Sequence, residues 1–424
     1  MVIRGAGYFS ANCSLTLQFD MLFCIIELHN NPPNLMYIPR LADEIAAKNI
    51  LESKKILMVI GARQVGKTTL VKKILEGKNY AYLNFDVAID KEKFLAASAL
   101  APRDARDYLG NPDYLVIDEA QREPKTGAIV KGWYDSELPM KIILLGSSSF
   151  DLLNRFAESL TGRNEKIFLS PLLFEEIIRN QPWFNQKLPK EAIIAPFKEQ
   201  IKTLLTQSLV FGNYPEVAAT NEKEKLLSNL AADYLFKDVL QLGLVKNPEQ
   251  ISRLLSLLAH QIGSEVSINE LANNLAISRQ TVEKYLDILE QTFVIFRLRA
   301  FATNPRKEIA KSQKIFFYDT GIRNALLREF SANELRPDIG ALWENWVVAE
   351  FAKKNLLEGN LANLHFWRSR SQSEVDLVIK RGDKISAYEI KWKKTGFSSK
   401  IFESQYKVPI NLITSADPLF FEQS

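Results

Sequence analysis

Hydrophobic and polar positions fall into two regimes along the chain. Between about residues 53 and 171, short apolar runs alternate with segments of helical period. The runs are Lys55-Ile-Leu-Met-Val-Ile60, Tyr80-Ala-Tyr-Leu-Asn-Phe85, Tyr114-Leu-Val-Ile-Asp118, Lys141-Ile-Ile-Leu-Leu145 and Lys166 to Leu169. Each has strand length, and the most apolar suit strands covered on both faces. Behind the first, Leu70, Val71, Ile74 and Leu75 recur at helical spacing, and Asp90 to Tyr108 is helical in pattern with a break at Pro102. Repeated strand-helix alternation predicts an α/β fold, a parallel sheet with helices on both faces and ligand at the carboxyl ends of its strands.

From Leu172 the strand signals fade and helical periodicity continues to about Asn247, interrupted at Phe211-Gly-Asn-Tyr-Pro-Glu-Val217. Ser267 to Ser278 reads as a helix and a short turn. Ser278 can then cap a second helix whose Val282, Tyr285, Leu286 and Leu289 share a face. With the extended run Phe293 to Phe301 as a wing, this resembles a winged helix-turn-helix. The chain closes on the strand Ile315 to Asp319 with the capping sequence Thr320-Gly321, then a helix around Gly340 to Phe351 that is apolar on nearly every side. A hairpin of Glu374 to Ile379 and Ile385 to Lys391 follows. The expected organisation is an extension over 1–35, an α/β core over 36–171, a small helical domain over 172–248, a winged helix over 249–312 and a C-terminal α/β domain over 313–424. The pattern change at Met36 places the start of the functional chain there and makes the preceding residues a dispensable extension.

Composition narrows the function classes. A chain of 424 residues needs two or three cores, and a net charge of +4 permits nucleic-acid contact without demanding it. Cys13 and Cys24 are the only cysteines, and His29, His260 and His365 are scattered. A disulfide framework, a zinc site and a His-based triad are therefore not expected, and a reducing cytoplasm is the default. No apolar stretch is long and uncharged enough to span a bilayer, so no membrane contact is expected.

The chemistry concentrates in Gly61-Ala62-Arg63-Gln64-Val65-Gly66-Lys67-Thr68-Thr69, which has the spacing G-x-x-x-x-G-K-[ST] of a phosphate-binding loop. Its glycines allow successive N–H groups to turn inward at phosphate oxygens, and the following helix adds its positive end. Lys67 supplies a charge for the β- and γ-phosphates of ATP, and the Thr68 hydroxyl suits Mg²⁺. Fifty residues further on, Asp118 ends an apolar strand and can complete the Mg²⁺ shell, while Glu119 can polarise the attacking water. Beyond the strand at Lys141, Gly146-Ser147-Ser148-Ser149 offers hydroxyls for sensing the γ-phosphate, with Ser148 as the candidate. A serine there can equally serve as a helix N-cap.

Gly61 to Thr69, Leu115-Val-Ile-Asp-Glu-Ala-Gln121, Gly146-Ser-Ser-Ser149, Leu160-Thr-Gly-Arg163 and Pro171-Leu-Leu-Phe-Glu-Glu176 together resemble the prokaryotic AAA-family ATPases that carry a C-terminal domain of unknown function. The resemblance covers the chain from Met36 onward. It implies an ATP-binding AAA-type module and makes Arg163 the arginine-finger candidate, with Arg155 in competition and a surface role open to both. Candidate partners are ATP, DNA through the winged helix or the C-terminal domain, and further copies of the chain.

At the C-terminal end, strand alternation places Glu389 and Lys391 on one face, with Asp376 on the neighbouring strand and Glu344 from the apolar helix. An acid, an E-x-K and a helical Glu resemble the layout by which PD-(D/E)XK nucleases hold Mg²⁺. The alternative is a solvated strand face. The expected function is Mg-ATP binding and hydrolysis coupled to a winged-helix and nuclease-like region. Its rivals are an ATP-regulated DNA-processing nuclease and a non-enzymatic ATP-gated interaction module.

Overall fold

The computed structural model describes residues 37–147, 160–241, 247–302, 313–333, 335–369, 373–393 and 400–420. The expected 1–35 extension, Ser148 and Arg155 lie outside them. Residues 38–424 form one compact unit.

Its first part is a parallel sheet of β1 (Ile56–Ile60), β2 (Tyr80–Asn84), β3 (Tyr114–Asp118), β4 (Lys141–Gly146) and β5 (Asn164–Phe168), in the order β2-β3-β4-β1-β5. All four pairings are parallel, as the apolar runs predict. Alternate residues of β1 face two different cores, Leu57 and Val59 on one side and Ile56, Met58 and Ile60 on the other. A strand buried on both faces has no use for polar side chains, which explains its unbroken apolar run. The helices Ala88–Ser98 and Pro102–Tyr108 flank this sheet, and Pro102 opens the second, where its missing N–H costs nothing. Register sets the site: Ile60 pairs with Gly146 and Asn84 with Asp118, so the carboxyl ends of β1, β2, β3 and β4 meet at one edge.

The second sheet has seven strands in the order β12-β11-β10-β9-β7-β8-β6. They are β6 (Glu265–Val266), β7 (Ile295–Ala300), β8 (Gln313–Phe317), β9 (Asn363–Arg368), β10 (Glu374–Arg381), β11 (Lys384–Lys391) and β12 (Ile410–Thr414). The two helices expected of a helix-turn-helix are Ile268–Leu275 and Arg279–Gln291, and the Ser278 hydroxyl accepts from Thr281 N at 3.1 Å. The strand expected as the wing, β7, belongs to the same sheet as the C-terminal strands. β7 pairs antiparallel with β8 and parallel with β9, so a boundary at 312/313 would cut between hydrogen-bonded neighbours. The expected separation of 249–312 from 313–424 is therefore not a separation of sheets. The signal was hidden because β7 alternates Phe296 and Leu298 inward with Arg297 and Arg299 outward, a pattern that suits either a wing edge or a central strand.

The apolar helix Ile339–Leu357 is buried along most of its length, as its lack of a polar face requires. Trp346 stacks on Trp343 and meets Phe174 edge-on, and its indole N–H donates to Ser208 Oγ at 2.9 Å. The turn after the helix Lys190–Phe211 fits against Asp319. Gly212 has φ +67°, and a Cβ there would lie 1.9 Å from Asp319 Oδ1. Asp319, rather than Thr320, caps the helix Thr320–Leu327, accepting from Ile322 N at 3.2 Å.

Candidate functional site: a phosphate loop and its acidic strand

Loop geometry follows from its glycines. A Cβ on Gly61 would stand 1.9 Å from Leu169 O, so only glycine lets the loop leave β1 beside β5. Gly66 has φ 92° and ψ 21° and Gln64 has φ 58°, left-handed conformations that turn the chain into the helix Lys67–Ile74. Ala62 and Val65 are buried, Arg63 and Gly66 are half-buried, and Gln64 and Thr69 are exposed. The Lys67 side chain is buried and curls over the loop, donating to Gly61 O at 2.9 Å and Ala62 O at 2.7 Å.

The acidic strand end meets this loop. Asp118 Oδ2 accepts from Thr68 Oγ1 at 2.6 Å and from the Tyr82 hydroxyl at 2.7 Å, while Asp118 Oδ1 accepts from Glu119 N at 3.0 Å. Burial together with the Asp118 carboxylate pushes the Tyr82 phenol well above its usual range, which keeps its proton on that bond. Glu119 leaves β3 with φ 51° and ψ 40°, and its Oε2 accepts from Gln121 Nε2 at 2.6 Å and from Ser147 Oγ at 3.3 Å. Gln121 and Ser147 are themselves 3.3 Å apart and buried. A hydroxyl and a carboxylate in contact form the hard oxygen donor pair that Mg²⁺ prefers, so Thr68 and Asp118 fit the ion.

Ser147, one of the hydroxyls expected beyond β4, lies beside Glu119, and Ser148 is outside the described residues. Two contributors were not evident from the pattern. Tyr82 sits on β2 as one aromatic in an ordinary strand. Arg40 is the second: its buried guanidinium donates to Val65 O at 2.9 Å, Ser170 O at 2.8 Å and Glu176 Oε2 at 3.0 Å. Glu176 also accepts from Leu41 N and Leu173 N, both at 2.8 Å. The phosphate loop is thus tied to the start of the helix Phe174–Arg179. From there, Phe174 N donates to Glu350 Oε2 at 2.8 Å and Lys353 Nζ to Leu172 O at 2.9 Å, reaching the buried helix Ile339–Leu357. Arg40 lies far from the loop in sequence and has no motif of its own.

Arg163 lies at the other end of the sheet. Its carbonyl accepts from Ile56 N at 2.9 Å, at the start of β1, and its guanidinium pairs with Asp135 at 2.6 Å. It therefore cannot reach the phosphate loop of its own chain, which leaves β1 at the opposite end.

In the C-terminal sheet, Lys391 Nζ lies 3.2 Å from Asp376 Oδ2 and 2.7 Å from Glu389 Oε1, which brings three of the four expected groups together. Ile390 N also donates to Asp376 Oδ2 at 2.8 Å. Glu344 lies 2.9 Å from the buried Lys314 ammonium, which also pairs with Glu374 at 2.5 Å. Burial raises the Glu344 carboxyl to about 7, against the pull of Lys314 and with the push of the Asp376 charge. Among the described residues no three or more His, Cys, Asp or Glu side chains group as metal ligands. Of the expected second metal site, Asp376 and Glu389 thus share Lys391, while Glu344 shares Lys314 with Glu374.

Comparison with known proteins agrees with the fold. Residues 53–178 match the family model described as "AAA domain". The match ends just past the parallel sheet and includes the phosphate loop, Asp118 and Glu119, and it supports an AAA-type ATPase module and ATP binding. Residues 202–333 and 339–410 match two models described as domains of unknown function, DUF8612 and DUF4143. Relatives include an uncharacterized protein of Mycobacterium tuberculosis, 29% identical over 378 residues, covering 87% of this chain and 77% of the relative. Another, from Methanocaldococcus jannaschii, is 29% identical over 342 residues, covering 77% of this chain and 72% of the relative. Among solved structures, a Walker-type ATPase of Pyrococcus abyssi aligns over 70% of this chain and 99% of its own at 16% identity, with a TM-score of 0.43. The ORC2 protein of Aeropyrum pernix in its ADP form aligns over 78% and 96% at 12% identity, with a TM-score of 0.32. Scores so low transfer nothing to this chain. Among the described residues, no helix is long and apolar enough to cross a membrane.

Proposed function

We propose that the protein is a cytoplasmic Mg-ATP-hydrolysing AAA-type ATPase that couples its nucleotide state to the winged-helix and C-terminal regions. The observation that carries this reading is the 2.6 Å contact of Thr68 Oγ1 with Asp118 Oδ2, which joins the residue after Lys67 to the residue before Glu119. In it the backbone N–H groups of the loop and the Lys67 ammonium bind the β- and γ-phosphates. Thr68 and Asp118 hold Mg²⁺, whose chemistry is to neutralise charge developing on the phosphoryl oxygens. Glu119 polarises water, and Gln121 and Ser147 fix the carboxylate that does so. Arg163 serves only in trans, at the site of a second copy. Lys67→Ala should abolish Mg-ATP binding, and Glu119→Gln should leave binding intact while lowering hydrolysis by about 10²-fold or more. Normal turnover in both, measured with and without DNA, would remove the reading.

A second reading is favoured by the contact of Asp376, Glu389 and Lys391: a nuclease-like fold at the C-terminal end. We infer that it does not cut. Lys391 already places positive charge on Asp376 and Glu389, as Lys314 does on Glu344 and Glu374, where a metal would otherwise bring it. Divalent-dependent DNA cleavage that disappears in Asp376→Ala would overturn this. Recognition of DNA by the winged helix is weakened by the exposed Arg279–Glu283 pair at 3.2 Å, which offsets one of its cations.

A further inference from the structure

Gln121 brings two polar atoms to the phosphate site and engages one of them. Glu119 leaves β3 in a left-handed turn, and the short 3₁₀ turn Ala120–Arg122 that follows folds Gln121 back beside the Glu119 carboxylate. The neighbours fix which way the amide points. A carboxylate only accepts, so the atom 2.6 Å from Glu119 Oε2 must be Nε2, which also lies 3.3 Å from Ser147 Oγ. The Gln121 side-chain oxygen, Oε1, is bonded to the same carbon and therefore sits next to this cluster. It is buried, in a residue only 8% exposed, and among the described residues nothing donates to it. Glu119 is divided in the same way: Oε2 accepts from Gln121 and Ser147, and among the described residues Oε1 accepts from nothing. A buried acceptor is costly without a donor, so a donor is expected from the reactants.

The donor that hydrolysis brings to this place is the attacking water, which has two hydrogens to place. We propose that Gln121 is a catalytic residue: the water donates one hydrogen to Glu119 Oε1 and the other to Gln121 Oε1, and its lone pair is thereby turned towards the γ-phosphorus. The inference rests on the ATPase reading and adds to it a second acceptor for the water. In the step, the water oxygen bonds to the γ-phosphorus as the bond from that phosphorus to the β,γ-bridging oxygen breaks, and the electron pair of the broken bond leaves on ADP. The proton facing Glu119 passes to its carboxylate and then to solvent, and the proton facing Gln121 stays on the phosphate. A neutral amide takes no proton, so Gln121 orients the water without competing with Glu119 as base.

The test is phosphate release by the full chain at saturating Mg-ATP, read beside ATP affinity and unfolding temperature. Gln121→Met keeps the length of the side chain and removes both polar atoms; it should lower turnover by about tenfold or more at unchanged ATP affinity. Gln121→Glu, at about pH 9 where both carboxylates are ionised, keeps an oxygen acceptor and loses the donor to Glu119. It should turn over faster than Gln121→Met. The reverse order would assign Gln121 to steadying Glu119 alone and overturn the proposal. So would turnover in Gln121→Met equal to or above that of wild type, or a loss of ATP affinity at unchanged turnover. Should Gln121→Met not fold, Gln121→Glu decides at the same pH: turnover within about tenfold of wild type supports the proposal, and a fall to the level of Glu119→Gln overturns it. Lys67→Ala separates this from the reading beneath it. Phosphate release equal in Lys67→Ala and wild type would remove the ATPase reading, whereas release lost in Lys67→Ala and unchanged in Gln121→Met would remove the role of Gln121 alone.

Discussion

Arg40→Ala tests how the phosphate loop is held. The Arg40 and Glu176 side chains are 5% and 2% exposed, so their pair at 3.0 Å is shielded from water. Removing the guanidinium strands the Glu176 carboxylate, although Leu41 N and Leu173 N still donate to it. It also removes the donor from Val65 O and from Ser170 O. Breaking one side of a buried pair costs about 3–5 kcal/mol, and each orphaned carbonyl about 1–3 kcal/mol. These overlap because one group makes all three contacts, so the expected loss is about 3–5 kcal/mol rather than the sum. Replacing both partners by apolar residues, Arg40→Met with Glu176→Leu, should recover most of it, because no charge is then left unpaired. Urea unfolding followed by tryptophan fluorescence reads the loss, with Trp133 reporting from the core on the sheet's other face. A cost for Arg40→Ala below about 1 kcal/mol would mean that the pair is solvated and holds nothing.

Gly61→Ala should abolish nucleotide binding, because its Cβ would overlap Leu169 O; a variant that binds ATP normally in a filter assay would contradict the loop geometry. Ser147→Ala should lower turnover by roughly tenfold at unchanged ATP affinity, since it frees the Glu119 carboxylate without touching the phosphate loop; a change in affinity alone would place Ser147 elsewhere in the cycle. If Arg163 serves a second copy, mixing Lys67→Ala chains with Arg163→Ala chains should restore part of the turnover that each lacks, and no restoration would remove that role. Glu344 gives a pH signature. Its folded carboxyl holds a proton up to about 7, so the folded chain binds more protons than the unfolded one between the ordinary carboxylate range and neutrality, and stability must fall across that window. The drop should be on the order of 1–3 kcal/mol and should flatten in Glu344→Gln, as followed by unfolding temperature from pH 5 to pH 8; a rise over that range would reverse the sign of the argument.

What the sequence made legible depended on whether function is written locally. The phosphate loop and the Asp118–Glu119 strand end were legible because each is a contiguous run whose spacing is fixed by backbone geometry, and the buried strands that support them repeat the same apolar signal. Arg40 and Tyr82 were not, since each acts through one long-range contact that leaves no periodic trace. Lys314 is the second residue of β8, just before its apolar run, and looks like a strand-end cation. Only pairing of β7 with β8, opposite Leu298, carries it inward to Glu344 and Glu374. The same non-local pairing hid the single sheet, because strand order across β9, β7 and β8 depends on contacts between segments that the local pattern assigns to different units.

The helix Ile339–Leu357 ties these observations together. It is apolar on nearly all sides, and its few polar residues are therefore placed at a cost that each must offset by a partner. Glu350 meets Phe174 N, Lys353 meets Leu172 O, and Glu344, less than two turns earlier, meets Lys314. One face thus fixes the helix to the segment that Glu176 and Arg40 tie to the phosphate loop, and its first half fixes it to the C-terminal acid cluster. If Mg-ATP binding shifts the loop, these contacts offer the shift a buried, hydrogen-bonded route to that cluster, because charged groups in such surroundings cannot give up their partners singly. Glu350→Gln with Lys353→Met keeps the shape and removes both charges. If the route transmits, hydrogen exchange at residues 374–391 should respond to Mg-ATP in wild type and stop responding in that variant, with ATP affinity unchanged. An equal response in both would show that the helix supports the fold without carrying the nucleotide signal.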